Sequence, residues 1–222
     1  MSFVSAEAES RDRFNEARLL LVNLREGSPP PLHPVSQTQK ALRGLWLVSL
    51  YAAVERSVNS AVEAALSEIS AQRVKSVDSV ASLHSIFHFP KVQSLHGCGR
   101  NSIFDKSVSL FEASSGTAIL ETAENPLAES LQNVDGKTMQ WVLRLFGATE
   151  MIVPQASLGR TSALRERRNA VAHGRDSAAK VGERYTITEL EKIYQAADET
   201  VASFVLSLKD HCAAKRYLRQ IA

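Results

Sequence analysis

Cysteine is nearly missing from this 222-residue chain: Cys98 and Cys212 are the only two. They stand far apart, with no metal-ligand spacing around either, so a disulfide framework and a cysteine-based zinc site are excluded and free thiols are expected. No apolar run approaches the roughly 20 residues that a membrane span needs. The N-terminus, with Glu7, Glu9, Arg11 and Asp12, lacks the apolar core of a signal peptide, so a cytoplasmic protein is expected. Internal repeats and low-complexity tracts are absent as well. What remains is a composition 44% hydrophobic and 23% charged, that of an ordinary globular chain with enough length for a substantial core.

The net charge of +2 is small, but it is unevenly spread. Arg160, Arg165, Arg167, Arg168, Arg175, Lys180 and Arg184 face only Glu166, Asp176 and Glu183 in the same stretch. Lys209, Lys215, Arg216 and Arg219 make the C-terminal segment 209–222 basic, whereas Glu121, Glu124, Glu129 and Asp135 make the middle acidic. A basic patch of this kind suits a polyanionic partner.

Apolar periodicity predicts an all-α chain. Residues 6–25 carry Phe14, Ala17, Leu20, Leu21 and Leu24 at helical spacing, and Pro29-Pro30-Pro31 ends that segment. From Ser36 to Gln72, Leu47, Leu50, Val54, Val58, Ala61, Ala65 and Ile69 step by three or four, as one buried stripe requires. Residues 74–135 read as a partly helical, partly irregular insertion, packed through Phe104, Val108, Leu110 and Phe111. A helix over 136–147 follows, then one starting near 158–161 and ending at His173, with Gly174 in the left-handed position. Residues 175–184 read as a linker. Thr186 and Glu189 then form a capping-box pattern for the last helix, whose apolar face runs from Ile187 to Leu208.

The chemistry concentrates in Arg168-Asn169-Ala170-Val171-Ala172-His173-Gly174. Histidine moves a proton near neutral pH, and arginine holds a phosphate with paired donors. Those two groups suffice to cleave RNA with no metal or other cofactor. The spacing alone is weak evidence, since the chain's arginines and histidines give roughly 0.5 such pairs by chance. Residues five apart also lie about 140° apart around a helix. Arg168 and His173 therefore do not share a face, and a second surface must complete the site. His84, His88 and His96 lack a carboxylate or cysteine to complete a metal set and read as structural or surface residues. Trp46 and Trp141 read as core.

The full string around Arg168 and His173, with Asn169, Ala172 and Gly174, resembles the ribonuclease motif of the HEPN superfamily, in particular its RiboL-PSP branch. The stretch Tyr185–Leu190 is similar to that family's entry into its last helix, and Leu50–Glu55 to its early helix. The resemblance implies a HEPN-like helical bundle spanning residues 1–222 as one domain, paired about a two-fold axis so that two motifs line one cleft. It implies a metal-independent endoribonuclease with Arg168, Asn169 and His173 catalytic and Glu55 in support. Arg165, Arg167 and Arg175 would then contact RNA phosphates, Arg167 being the alternative to Arg168. The biological setting it implies is a toxin or antiphage-defence effector with an antitoxin or defence partner. The other reading is a HEPN module that binds RNA or dimerises without turnover. In one departure from the family's toxins, Arg175 occupies the position where a modified tyrosine usually stands.

Overall fold

Ser36 accepts a hydrogen bond from the Gln39 backbone N–H at 3.2 Å, and the Gln39 side chain returns one from the Ser36 N–H. This capping box launches the central helix of the computed structural model, which describes residues 1–30, 33–122, 124–148 and 151–219. The described residues form nine α-helices and three 3-10 turns, with no strand. The helices are α1 (Phe3–Glu26), α2 (Gln37–Ala71), α3 (His84–Phe87), α4 (Phe89–Leu95), α5 (Arg100–Ser115), α6 (Gly136–Phe146), α7 (Gln155–Ala172), α8 (Ala178–Gly182) and α9 (Ile187–Ala213). The chain is an all-α bundle.

Helix α2 is its axle. Every residue of the expected stripe, from Leu47 to Ile69, is fully buried. Burial extends beyond that stripe to Gly44, Ala53, Ser57, Ser60, Val62 and Ala64, because α1, α7, α8 and α9 all pack on α2. A helix covered on several sides needs small residues where its neighbours approach most closely. From α1 it receives Phe14, Ala17 and Leu21, whereas Leu20 faces outward, so the α1 stripe is narrower than its spacing suggested. The Trp46 indole N–H reaches the Ala17 carbonyl at 2.8 Å, a core role as expected.

Glu9 of α1 ties the same two helices. It accepts bonds from Ser60 Oγ at 2.7 Å, Arg56 Nε at 3.0 Å and Arg13 at 3.1 Å. These donors, the Ser60 hydroxyl first, hold its carboxyl down at about 2, well below the usual carboxylate range.

Residues 175–184, expected as a linker, instead contain α8, capped by Ser177 and pressed backbone-on-backbone against α2. A Cβ on Gly44 would stand 2.0 Å from the Ala178 carbonyl oxygen, and one on Gly182 would stand 1.9 Å from that of Lys40. Arg43 then donates to the Tyr185 carbonyl at 2.8 Å, which fixes the start of α9. A contact made through two glycines leaves no apolar periodicity, so a five-residue helix passed for a loop. The Thr186–Glu189 capping box forms as expected.

Between α2 and α6, one further expectation fails for a physical reason. Pro90 sits in the first turn of α4, where its missing N–H is not needed, and α3 ends just before it. Phe104, Val108 and Phe111 of α5 do have helical spacing, but no element among the described residues covers them, and Phe104 is 70% exposed. His84 and His88 are structural: His84 Nε2 lies 3.0 Å from the Ser76 carbonyl oxygen and His88 Nε2 lies 3.1 Å from Ser76 Oγ. His96 is at the surface. In the basic C-terminal segment, α9 continues to Ala213, Tyr217 is fully buried, and the Arg219 N–H donates to the Asp78 carbonyl at 2.8 Å.

Gly182→Ala should destabilise the protein by about 1–3 kcal/mol, the cost of overpacking a contact whose neighbour is backbone. Gly159→Ala, on exposed α7 with nothing within 4 Å, should leave stability unchanged or raise it by about 0.5–1 kcal/mol. Urea unfolding of both variants checks the pair, and equal midpoints would contradict the close α2–α8 approach. Glu9→Gln should lower the melting temperature at pH 7, with the gap to the parent closing as pH falls. Because the folded-state value is depressed, the carboxylate stabilises fully above the ordinary 4.5 and loses its contribution as pH drops towards about 2. Melting curves at pH 7, 4 and 2.5 measure this.

Candidate functional site

Helix α7 carries the basic motif. It begins after Pro154, and its inner face packs on α9 through Thr161, whose hydroxyl lies 3.3 Å from that of Thr200, while Ser157 donates to Glu199 at 2.7 Å. That anchoring turns Arg165, Arg168 and Asn169, which follow one to two turns later, toward α2 and the 3-10 turn Ser130–Asn133. The helix ends at Ala172. His173 is its C-cap, and Gly174 takes the left-handed conformation (φ 68°) that releases the chain.

Arg168 is the best-held of these side chains. Its guanidinium lies 4.4 Å above the centre of the Tyr51 ring, bonds Glu55 through one terminal nitrogen, and donates to Asn169 Oδ1 at 2.9 Å through the other. Tyr51 and Glu55, four apart on α2, share one face, so one helix supplies both the aromatic floor and the carboxylate. Burial pushes the Glu55 carboxyl upward, while the Arg168 charge and hydrogen bond pull it back down. Burial, reinforced by Glu55, also raises the Tyr51 phenol, whose O–H donates to the Val134 carbonyl at 3.1 Å. Glu55 is therefore an ion-pair partner of Arg168 and bonds no part of His173.

The neighbouring residues divide into engaged and open. Asn169 Nδ2 donates to Asn133 Oδ1 at 3.2 Å. Arg165 binds Asp135 at 2.6 Å and Glu166 at 2.8 Å, so its charge is already matched from two sides. Arg167 Nε donates to the Tyr185 hydroxyl at 2.9 Å. His173 and Arg175 are exposed, and neither side chain has a hydrogen-bond partner among the described residues. Arg168 and Asn169 thus meet within one protomer, and the His173 side chain bonds neither, standing about 140° around the helix from Arg168.

Four contributors to the site were not legible as such in the sequence: Tyr51, Asn133, Asp135 and Gln132, whose carbonyl accepts from Arg168 Nη2 at 3.5 Å. Tyr51 was signalled by its place four before Glu55. Asp135 was signalled by Thr138 three residues on, for it caps α6 by accepting the Thr138 N–H at 2.8 Å. Nothing in the sequence points to Gln132 or Asn133. Among the described residues, no three His, Cys, Asp or Glu side chains gather as metal ligands do.

The family model described as RiboL-PSP-HEPN matches residues 8–210 of the chain. No curated protein and no solved structure matches it.

Asp135 is 4% exposed and serves two helices at once, as the α6 cap and the Arg165 partner. Asp135→Ala should cost about 2–4 kcal/mol, combining a lost cap with a lost charge-assisted bond. Asp135→Asn, which keeps a cap acceptor, should cost about half as much. Denaturant unfolding decides, and a loss below about 0.5 kcal/mol for Asp135→Ala would reduce the pair to a surface contact.

Proposed function

The chain belongs to the RiboL-PSP-HEPN family, and on that footing we propose that it is an endoribonuclease that needs no metal. The observation that carries this reading is the contrast within one motif. Arg168 is locked by Glu55, Asn169 and Tyr51, and five residues later an imidazole with no partner among the described residues stands exposed at the helix end. A preorganised cation beside an accessible proton carrier is what phosphate transesterification requires.

In this mechanism His173 takes the proton of an RNA 2′-hydroxyl, whose oxygen bonds to the adjacent phosphorus. The bond to the 5′-oxygen breaks, and a second imidazole protonates the leaving oxygen. The products are a 2′,3′-cyclic phosphate and a 5′-hydroxyl, and DNA, without the 2′-hydroxyl, is inert. Arg168 stabilises the charge of the phosphorane, Asn169 orients a phosphate oxygen or the imidazole, and Arg167 and Arg175 hold flanking phosphates. Arg165, bound on both sides, contributes least to RNA. The second imidazole comes from a second copy of the chain, so the working unit is a homodimer with a composite site.

The setting that fits this activity is a cytoplasmic toxin or antiphage-defence effector restrained by an antitoxin or other partner. One observation favours the other reading, a module that binds RNA or dimerises without turnover: Glu55 already neutralises Arg168.

His173→Ala should abolish cleavage of labelled RNA, a loss of about 10²–10⁴-fold for a general acid or base, with fold and dimer mass retained. Arg168→Ala should do the same. Cleavage by the parent protein should persist in excess EDTA and leave cyclic phosphate ends. A folded His173→Ala variant that cleaves at the parent rate would end the ribonuclease reading of this motif. A monomer mass at full activity would end the composite site.

A further inference from the structure

Helix α6 buries Met139, Val142, Leu143 and Phe146, leaves Lys137 and Arg144 exposed, and holds Gln140 and Trp141 half-buried, with Trp141 packed against the core as expected but not enclosed by it. Lys137, Gln140, Trp141 and Arg144 are spaced three and four apart, so they form one stripe about 10 Å long. Together with Gly147 and Ala148 they line a hollow of about 510 Å³, within the size range of small-molecule sites. Its far end is set by Gly147, whose left-handed conformation (φ 75°) turns the chain against Val80 and Ser82.

The chemistry of the lining is selective. It holds two cations, an indole and an amide, and no carboxylate among the described residues lines it. Among the described residues neither Lys137 nor Arg144 has an ion-pair partner, in contrast to Arg165 and Arg168 of the motif helix. Trp141 is only partly buried, unlike the core indole of Trp46. An aromatic platform flanked by open cations suits a ligand that is both planar and anionic, which among biological polymers is a single-stranded nucleic acid. The location agrees: the α6 cap, Asp135, is the residue that holds Arg165 of the motif helix, and Lys137 lies two residues further on.

We propose that the outer face of α6 is an RNA subsite, in which one unpaired base stacks on Trp141 and Lys137 and Arg144 hold the phosphates on either side of it. Gln140 offers its amide to the edge of the stacked base. The subsite extends the ribonuclease reading and rests on it only for the choice of RNA as the strand. It gives the protein a preference for single-stranded over duplex RNA, because a paired base cannot present its face to the indole.

The test is binding of a 12-nucleotide single-stranded RNA to the full-length His173→Ala protein, followed by tryptophan emission. Trp46 is 3% exposed with its N–H bonded inside the core, so a quench reports Trp141. The RNA should quench the emission. Trp141→Leu should remove the quench and weaken binding about 5- to 100-fold, the range for one lost stacked base. Trp141→Phe, which preserves more of the packing, should bind in between. Lys137→Ala with Arg144→Ala, both at exposed positions, should lower the salt dependence by about 1.4 in log–log slope, two phosphate contacts on a single strand. Unchanged emission, or parent affinity and slope in the Trp141→Leu and double variants, would overturn the proposal. Cleavage by the parent protein, measured in parallel, keeps the two readings apart: RNA bound with quenching but never cut supports the subsite and removes the ribonuclease, and cleavage without quenching does the reverse.

Discussion

A 35-residue helix enclosed by four others can keep few charges along its middle, and this constraint organises the molecule. Leaving a carboxylate or guanidinium half out of water without a partner costs more than most single contacts return. Helix α2 carries Glu55 and Arg56 at its centre, and each is met by an opposite charge from a different helix. Glu9 of α1 takes Arg56 and Arg168 of α7 takes Glu55. The two pairs fix α1 and α7 against α2 from different directions, and the α7 pair brings the motif arginine to the edge of the core. Arg168 stands where it does because α2 has a half-buried carboxylate to match.

The same pair sets what the site can do. A guanidinium has five N–H donors. Arg168 directs one terminal nitrogen to Glu55 and the other to Asn169, and its plane rests on Tyr51. The side chain is therefore oriented before any ligand arrives, and the donors without a protein acceptor are those a phosphate can use. The neighbouring Arg165 shows the contrary arrangement. Bound by a buried Asp135 and by Glu166, it joins α6 to α7 and leaves little of its charge outward.

How far the sequence revealed this depended on what made each contact. The α2 stripe from Leu47 to Ile69 and the α9 face from Leu190 to Leu208 were legible because periodic apolar side chains make those interfaces. Helix α8 was invisible because its interface is backbone against backbone at Gly44 and Gly182. Helix α5 misled in the opposite sense, since Phe104, Val108 and Phe111 have the periodicity of a buried face without an element to cover them. At the site, the residues of the motif were legible as chemistry, whereas their partners came from far along the chain. Tyr51 and Asp135 left faint local signatures, and Asn133 reaches Asn169 across 36 residues with none.

Helix geometry also constrains the assembly that the proposed activity needs. Five residues of α-helix separate Arg168 from His173 by about 7.5 Å along the axis as well as by the 140° turn. Arg168 cannot swing outward to follow His173 without giving up Glu55 and uncovering Tyr51. His173 is held at the C-cap by its backbone bond to the Asn169 carbonyl at 3.1 Å, which fixes its Cα on the other side of the helix from Arg168. A phosphate resting on the outward donors of Arg168 is therefore best reached by an imidazole from outside the protomer. In the proposed composite cleft the two α7 ends lie together, and their two imidazoles give the 2′-hydroxyl and the leaving 5′-oxygen separate proton carriers. On the proposed chemistry, dimerisation is a consequence of where one helix places two side chains.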